Sequence, residues 1–173
     1  TFPVYGNQMT IAGVSVGILD VTERLVPGNN NPISGSTDQE VASWTIDAEN
    51  EGMSVRSIKI TQIGSAANDD ISNIVLKISG VQIGSTVTAL ATDGTALFDL
   101  SSDPISINSG SSKVVYAHAD VATGITTSRT VQFEITNATD VVGFGTNSAG
   151  SVTITTDVNA ANAAVDSITY VAQ

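Results

Sequence analysis

The stretch VASWTIDAENEGMSVRSIKITQI, residues 41–63, reads as two β-strands in succession. Ala42, Trp44, Ile46 and Ala48 recur at every second position of its first half, and Val55, Ile58 and Ile60 supply core candidates in its second half. Successive side chains of a strand point to opposite faces, so this alternation describes ribbons with one face buried. Trp44, the only tryptophan, is expected as a core anchor.

The same pattern extends in both directions. ISNIVLKISGVQIGSTV (71–87) sets Ile74, Leu76 and Ile78 against Val75, Lys77 and Ser79, with Gly80 and Gly84 marking turns or bulges. Asp93-Gly94 is the dipeptide of a type I′ hairpin and leads into TALFDL, where Ala96, Phe98 and Leu100 alternate. SKVVYAHADV (112–121) places Val115, Ala117, Ala119 and Val121 on one face and Tyr116 and His118 on the other. RTVQFEIT (129–136) turns Val131, Phe133 and Ile135 inward, and SVTITT (151–156) closes the regular part before an Ala/Asn-rich tail whose last β-like run is 167–172. About eight short strands with turn signals between them, and no amphipathic helix, predict an all-β antiparallel sandwich, immunoglobulin-like or jelly-roll.

With 173 residues the chain can bury one core and carry extensions. Only 13% of residues are charged, against about a quarter in an average domain. Ser, Thr, Asn and Gly fill the difference, as in β-rich extracellular proteins, so an extracellular or cell-surface location is expected. Six Lys and Arg against seventeen Asp and Glu give a formal charge of −11, which repels phosphate backbones and anionic membrane surfaces and attracts divalent cations. No nucleic-acid partner and no membrane insertion are expected, the chain having no run of the ~20 apolar residues a membrane span needs. Without cysteine there is no disulfide, thiolate metal site or cysteine nucleophile. A start at Thr1, with neither Met nor a basic-then-apolar leader, suggests a processed mature form.

The N-terminal segment MTIAGVSVGILDVTERLVPG (9–28) is apolar on both faces of a ribbon. Ala12, Val14, Val16 and Ile18 form one face, and Ile11, Gly13, Ser15, Gly17 and Leu19 the other. The Pro/Gly/Asn-rich run VPGNNNPISGSTDQ (26–39) follows and divides an N-terminal arm, residues 1–34, from a sandwich domain, 35–157, and a C-terminal tail or final strand, 158–173. Two readings of the arm stand side by side. Its strand is donated to a neighbouring subunit, with Ile11, Ala12, Val14, Val16, Ile18 and Leu19 as the polymerisation strand, or it is the first strand of its own sandwich.

From about Gly35 to Thr155 the chain resembles a β-sandwich domain found in S-layer-like, cell-surface and extracellular filament proteins of bacteria and archaea. The segments that carry the resemblance are VASWTIDAENEGMSVRSIKIT, DDISNIVLKISGVQIGSTV, GTALFDLSSDPISINSGSSKVVYAHADV and RTVQFEITNATDVVGFG. Within them, Asp70-Ile71-Ser72-Asn73 matches the lead-in to a strand, and Ile105 to Gly110 matches the turn into the next. The resemblance implies an immunoglobulin-like sandwich and a structural role at the cell surface.

Catalytic signatures are missing. His118 is the lone histidine, and no nucleophile elbow, phosphate-binding glycine loop or zinc-protease helix is present, so no enzyme is expected. The loop carboxylates Asp69, Asp70 and Asp103 are candidate calcium ligands, with solubilising turns as the alternative explanation. Asn137-Ala138-Thr139 is a glycosylation sequon. The composition, the arm and the resemblance together predict a structural subunit of an extracellular filament or surface layer. Such a subunit would form a homopolymer with copies of itself by strand addition. The alternative is a surface adhesin or carbohydrate-binding module of a larger protein.

Overall fold

A computed structural model describes residues 16–24, 33–148, 152–156 and 168–170, the last two segments as backbone strands. The 41–63 stretch becomes β2 (Gln39–Glu49) and β3 (Met53–Gln62), which do not pair with each other. Their turn carries the chain from one sheet to the other, so the alternation in each strand buries its apolar face between the two layers. The result is an all-β sandwich, with no α-helix among the described residues.

The larger sheet has six strands. From one edge to the other they are β12 (Val152–Thr156), β1 (Gly17–Arg24), β2, β8 (Ser111–Val121), β4 (Ile71–Ile78) and β5 (Val81–Ala89). All its pairings are antiparallel except the one between β1 and β12. In the smaller sheet β3 is central. β6 (Thr95–Asp99) and β7 (Ile105–Ile107) line one edge of it, and β10 (Phe133–Glu134) and β11 (Val141–Gly145) line the other. A third, two-stranded pairing joins β9 (Arg129–Val131) to β13 (Ile168–Tyr170) within the expected final run of the chain.

The core follows the sequence alternation closely. Trp44, Ile46, Val55, Ile58, Ile60, Ile74, Leu76, Phe98, Leu100, Val115, Val131 and Phe133 are all buried. Ile78 is only partly covered, because it lies at the hairpin end of β4.

One turn differs from expectation. Asp93-Gly94 is not a type I′ hairpin: Gly94 has φ +79° but Asp93 is not in the left-handed region, and the strands it joins, β5 and β6, lie in different sheets. Gly94 N–H donates to Ala91 O at 2.9 Å, and the Asp93 carboxylate accepts from the Thr95 N–H and hydroxyl at 3.1 and 2.8 Å. Asp93 therefore closes a crossover loop. The two-residue hairpin is Ser79-Gly80 between β4 and β5, where both residues have positive φ, 51° and 80°, as a type I′ turn demands.

The edge strand β5 holds no charged residue from Val81 to Ala89. A register shift against β4 interrupts it at Gly84, whose φ is +65°. Gln82 Nε2 donates across the break to Gly84 O at 3.3 Å and Thr86 Oγ1 at 3.1 Å. A Cβ at position 84 would lie 2.6 Å from Leu100 Cδ2, so only glycine lets this edge fold down onto the opposite layer. Bulges of this kind make an edge a poor template for another strand.

Replacing Trp44 by alanine should destabilise the fold by about 3–5 kcal/mol through the cavity it leaves. Leu97, 61% exposed on the outer face of β6, should tolerate alanine within about 0.5 kcal/mol. Urea denaturation of both variants checks the layer assignment.

Candidate assembly site

β1 lies between two strands and is bonded along both edges. Asp20 faces Asp47 of β2 and Thr155 of β12, and Leu19 faces Ala48 and Ile154. Leu19 and Val21 are buried in the common core, with Gly17 on the same inward face, and Ile18 is half-buried on the outer one. Val16, just before the strand, is 41% exposed.

The buried face is not the one that composition alone would favour. The even-numbered set Ala12, Val14, Val16, Ile18 is the more apolar by count. The inward set is nevertheless the odd-numbered one, and a shift of one residue would reverse every side chain. Of the expected polymerisation strand, Ile18 and Leu19 pair within their own chain, whereas Ile11, Ala12 and Val14 lie outside the described residues.

Glu51, in the turn between β2 and β3, explains the choice. Although charged, it is buried. Its Oε2 accepts from the backbone N–H groups of Asn147 at 2.7 Å and Ser148 at 2.9 Å. Oε1 accepts from the Ser148 hydroxyl at 2.5 Å and the Gly17 N–H at 3.2 Å. Next to it Asn50, left-handed at φ +66°, donates from Nδ2 to Val16 O at 2.9 Å. Both polar atoms of the Val16–Gly17 peptide group are thereby held by two adjacent residues of one turn. A Cβ at Gly17 would lie 2.8 Å from the Glu51 side chain and 3.0 Å from Met53 Sδ, and one at Gly145 would overlap the carboxylate.

The other end of β1 is tied more loosely, by Arg24 Nη1 donating to Tyr116 Oη at 3.5 Å. Past residues 25–32, the chain is fastened to β8 and its exit: Gly35 N–H donates to Ala122 O at 3.0 Å, and Val121 N–H to Ser36 O at 2.8 Å. Asp38, at φ +54°, is the centre of a polar group on the outer face of the larger sheet. Its carboxylate meets Lys77 Nζ at 2.5 Å and His118 Nδ1 at 3.2 Å. Its N–H donates to Asp120 Oδ1 at 2.8 Å, and Asn73 Nδ2 donates to Asp120 Oδ2 at 2.9 Å. His118 is thus placed beside Tyr116 on the outer face, as the alternation predicts.

The proposed calcium ligands are not brought together. Asp69 and Asp70 belong to a short 3-10 helix (Asn68–Asp70), and Asp103 to the turn between β6 and β7. Asp70 Oδ2 accepts from Ala67 N–H and pairs with Arg129 Nη1, each at 2.8 Å. No cluster of three or more His, Asp or Glu able to hold a metal ion occurs among the described residues. Asn137 is exposed ahead of a second 3-10 helix (Ala138–Asp140), and its N–H donates to Asp140 Oδ2 at 2.9 Å. Asp140 is buried and pairs with Lys59 Nζ at 2.7 Å.

Sequence reasoning passed over Glu51 and took Asp140 only as one of many loop carboxylates, because a carboxylate in a Gly/Asn-containing turn is ordinarily solvated. The only signal for Glu51 was its place in a turn between two strongly apolar strands. No protein-family model matches this chain, and no curated protein sequence does either. Among the described residues no helix is long and apolar enough to cross a membrane.

Several carboxyls are held below their ordinary values, among them Glu51 by the Ser148 hydroxyl and the N–H groups around it, Asp38 by Lys77, Asp93 by Thr95 and Asp99 by Ser101. Groups lowered on folding stabilise the fold above their unfolded values of 3.8 and 4.5, and that contribution disappears as pH falls through the lowered native ones. Lys59 is raised by Asp140, so its contribution is complete below 10.5 and is lost above its native value. The melting temperature should be flat between about pH 5 and pH 8 and fall steeply in acid. Glu51→Gln should flatten the acid limb, as scanning calorimetry across pH would show.

Proposed function

We propose that the chain is a structural subunit of an extracellular filament or surface layer, assembling by β-strand addition, with the N-terminal strand of one copy completing the six-stranded sheet of the next. The observation that carries this reading is the position of β1. It fills the core and bonds to β2 and β12, yet fourteen residues, 25–38, join it to its antiparallel neighbour. Hairpin partners ordinarily need two to five. The last six of those residues are fastened to β4 and β8, whichever copy supplies β1.

Exchange of β1 between copies keeps every contact of the closed chain and adds a link that does not close on itself. Repetition of a head-to-tail link of this kind generates filaments. The acidic composition and the resemblance to surface-protein domains support the same setting.

Asp20 and Asp47 face each other across β1 and β2, and the protein has no cysteine of its own. Oxidation of the Asp20→Cys/Asp47→Cys protein, assembled at high concentration, should give a covalent ladder on a non-reducing gel. Monomers that are internally cross-linked throughout would show that β1 stays in its own chain. In addition, Val16→Asp should leave the melting temperature nearly unchanged, since Val16 is exposed in the closed chain. It should block assembly by placing an unpaired charge in the contact, at a cost of several kcal/mol. Assembly at the wild-type rate would remove Val16 from that contact.

A further inference from the structure

We infer that Glu51 is a positioning residue that sets the register of β1 by admitting only glycine opposite its carboxylate. A strand with period-two patterning keeps its buried face when it slips by two residues, so the pattern alone leaves several registers open. In β1 a slip of two brings Ser15 or Leu19 to the place of Gly17. Neither fits, because even a Cβ there would lie 2.8 Å from Glu51.

The carboxylate cannot swing aside without losing its bonds to Asn147, Ser148 and the Ser148 hydroxyl, and Gly145 abuts its far side. A slip of four would bring Gly13 to the glycine position. It would also put Ser15 where Leu19 fills the core and Gly17 where Val21 does, leaving both sites underfilled. In the native register alone, glycine meets Glu51 while leucine and valine meet the core. Asn50 completes the reading by holding Val16 O, the other half of the peptide group that Glu51 engages.

The device acts on whichever β1 occupies the slot. Its extension to a strand from a neighbouring copy rests on the exchange reading above, whereas the register effect itself does not.

The test uses the full chain with two cysteine pairs. Asp20→Cys/Asp47→Cys reports the native register, in which those residues are opposed. Asp20→Cys/Thr45→Cys reports a slip of two, since Thr45 normally faces Thr22. With Glu51 present, only the first pair should close readily. With Glu51→Ala the off-register cross-link should rise about tenfold, the order expected when hydrogen bonds to a buried charge are lost, and with Glu51→Gln it should rise less.

Gly17→Ala should lower the melting temperature strongly beside Glu51 and much less beside Glu51→Ala, a non-additivity that a residue of general structural importance would not show. If Glu51→Ala does not fold, the Glu51→Gln and Gly17→Ala proteins still decide the matter. An unchanged cross-linking pattern in the folded Glu51 variants, or additive effects of the Gly17 and Glu51 substitutions, would overturn the assignment. Whether the cross-links run within or between chains answers the exchange question separately, so failure of one reading is not mistaken for failure of the other.

Discussion

An ionised carboxylate withdrawn from water must be surrounded by donors, and the fold around Glu51 is arranged to meet that requirement. The donors come from two places far apart in sequence: the turn after β11, and the first peptide group of β1. Such close approach of backbone to carboxylate leaves no space for side chains at positions 17 and 145, which accounts for glycine at both. Burial of a charge at this turn is what joins the crossover between the sheets to the start of β1 and to the end of β11. The polar contact therefore specifies which residues of an ambiguous apolar ribbon enter the core, and the apolar contacts of Leu19 and Val21 supply the attraction once they are there.

The larger sheet is held differently at its two ends. At the start of β1 the grip is on backbone atoms and its Glu51 half is buried, so it senses position along the strand. At the opposite end, Asp38, Lys77, His118, Asp120 and Asn73 join the approach to β2 with β4 and β8 on the outer, more solvated face. Side-chain pairs in that setting contribute modestly to stability, but they fasten residues 33–38 to the body independently of β1. The connection from β1 is thus fastened to the body over its last six residues, 33–38.

The core was legible in the sequence wherever one face of a strand was apolar and the other polar, as in β2, β6 and β8. Trp44, Phe98 and Ala117 are buried where alternation put them. It was not legible in β1, because both faces there are apolar or small, and the deciding contact comes from a residue thirty-four positions away. The hairpin was misplaced for a related reason. Asp-Gly is a stronger turn signal than Ser-Gly, yet the geometry of a type I′ turn is set by the strands that flank it, and β4 and β5 pair whereas β5 and β6 do not. The acidic loops were legible as turns, but not the local partners of their carboxylates. Asp70, Asp93, Asp99 and Asp140 each accept hydrogen bonds from N–H groups two or three residues away in their own turns. A carboxylate committed to its own loop is poorly disposed to share an ion with another, and among the described residues no three His, Asp or Glu converge.

Closed and exchanged arrangements of β1 contain the same strand contacts, so those contacts cannot by themselves favour one over the other. The balance depends on the connection and on whatever contacts exchange adds. A short tether presents its own strand at an effective concentration in the millimolar range, and a neighbour's strand must compete with that. Residues 25–32 span at most about 29 Å when fully extended, so the tether favours the chain's own slot when subunits are dilute. In the exchange reading, therefore, the additional stabilisation must come from outside β1. The sequence immediately upstream meets this condition: it continues the apolar alternation through Ile11, Ala12 and Val14 and reaches the strand at Val16, which the closed chain leaves exposed. Apolar residues of this kind gain by burial against a second copy, so in the exchange reading the residues before β1, rather than β1 itself, are the part that would commit the subunit to assembly.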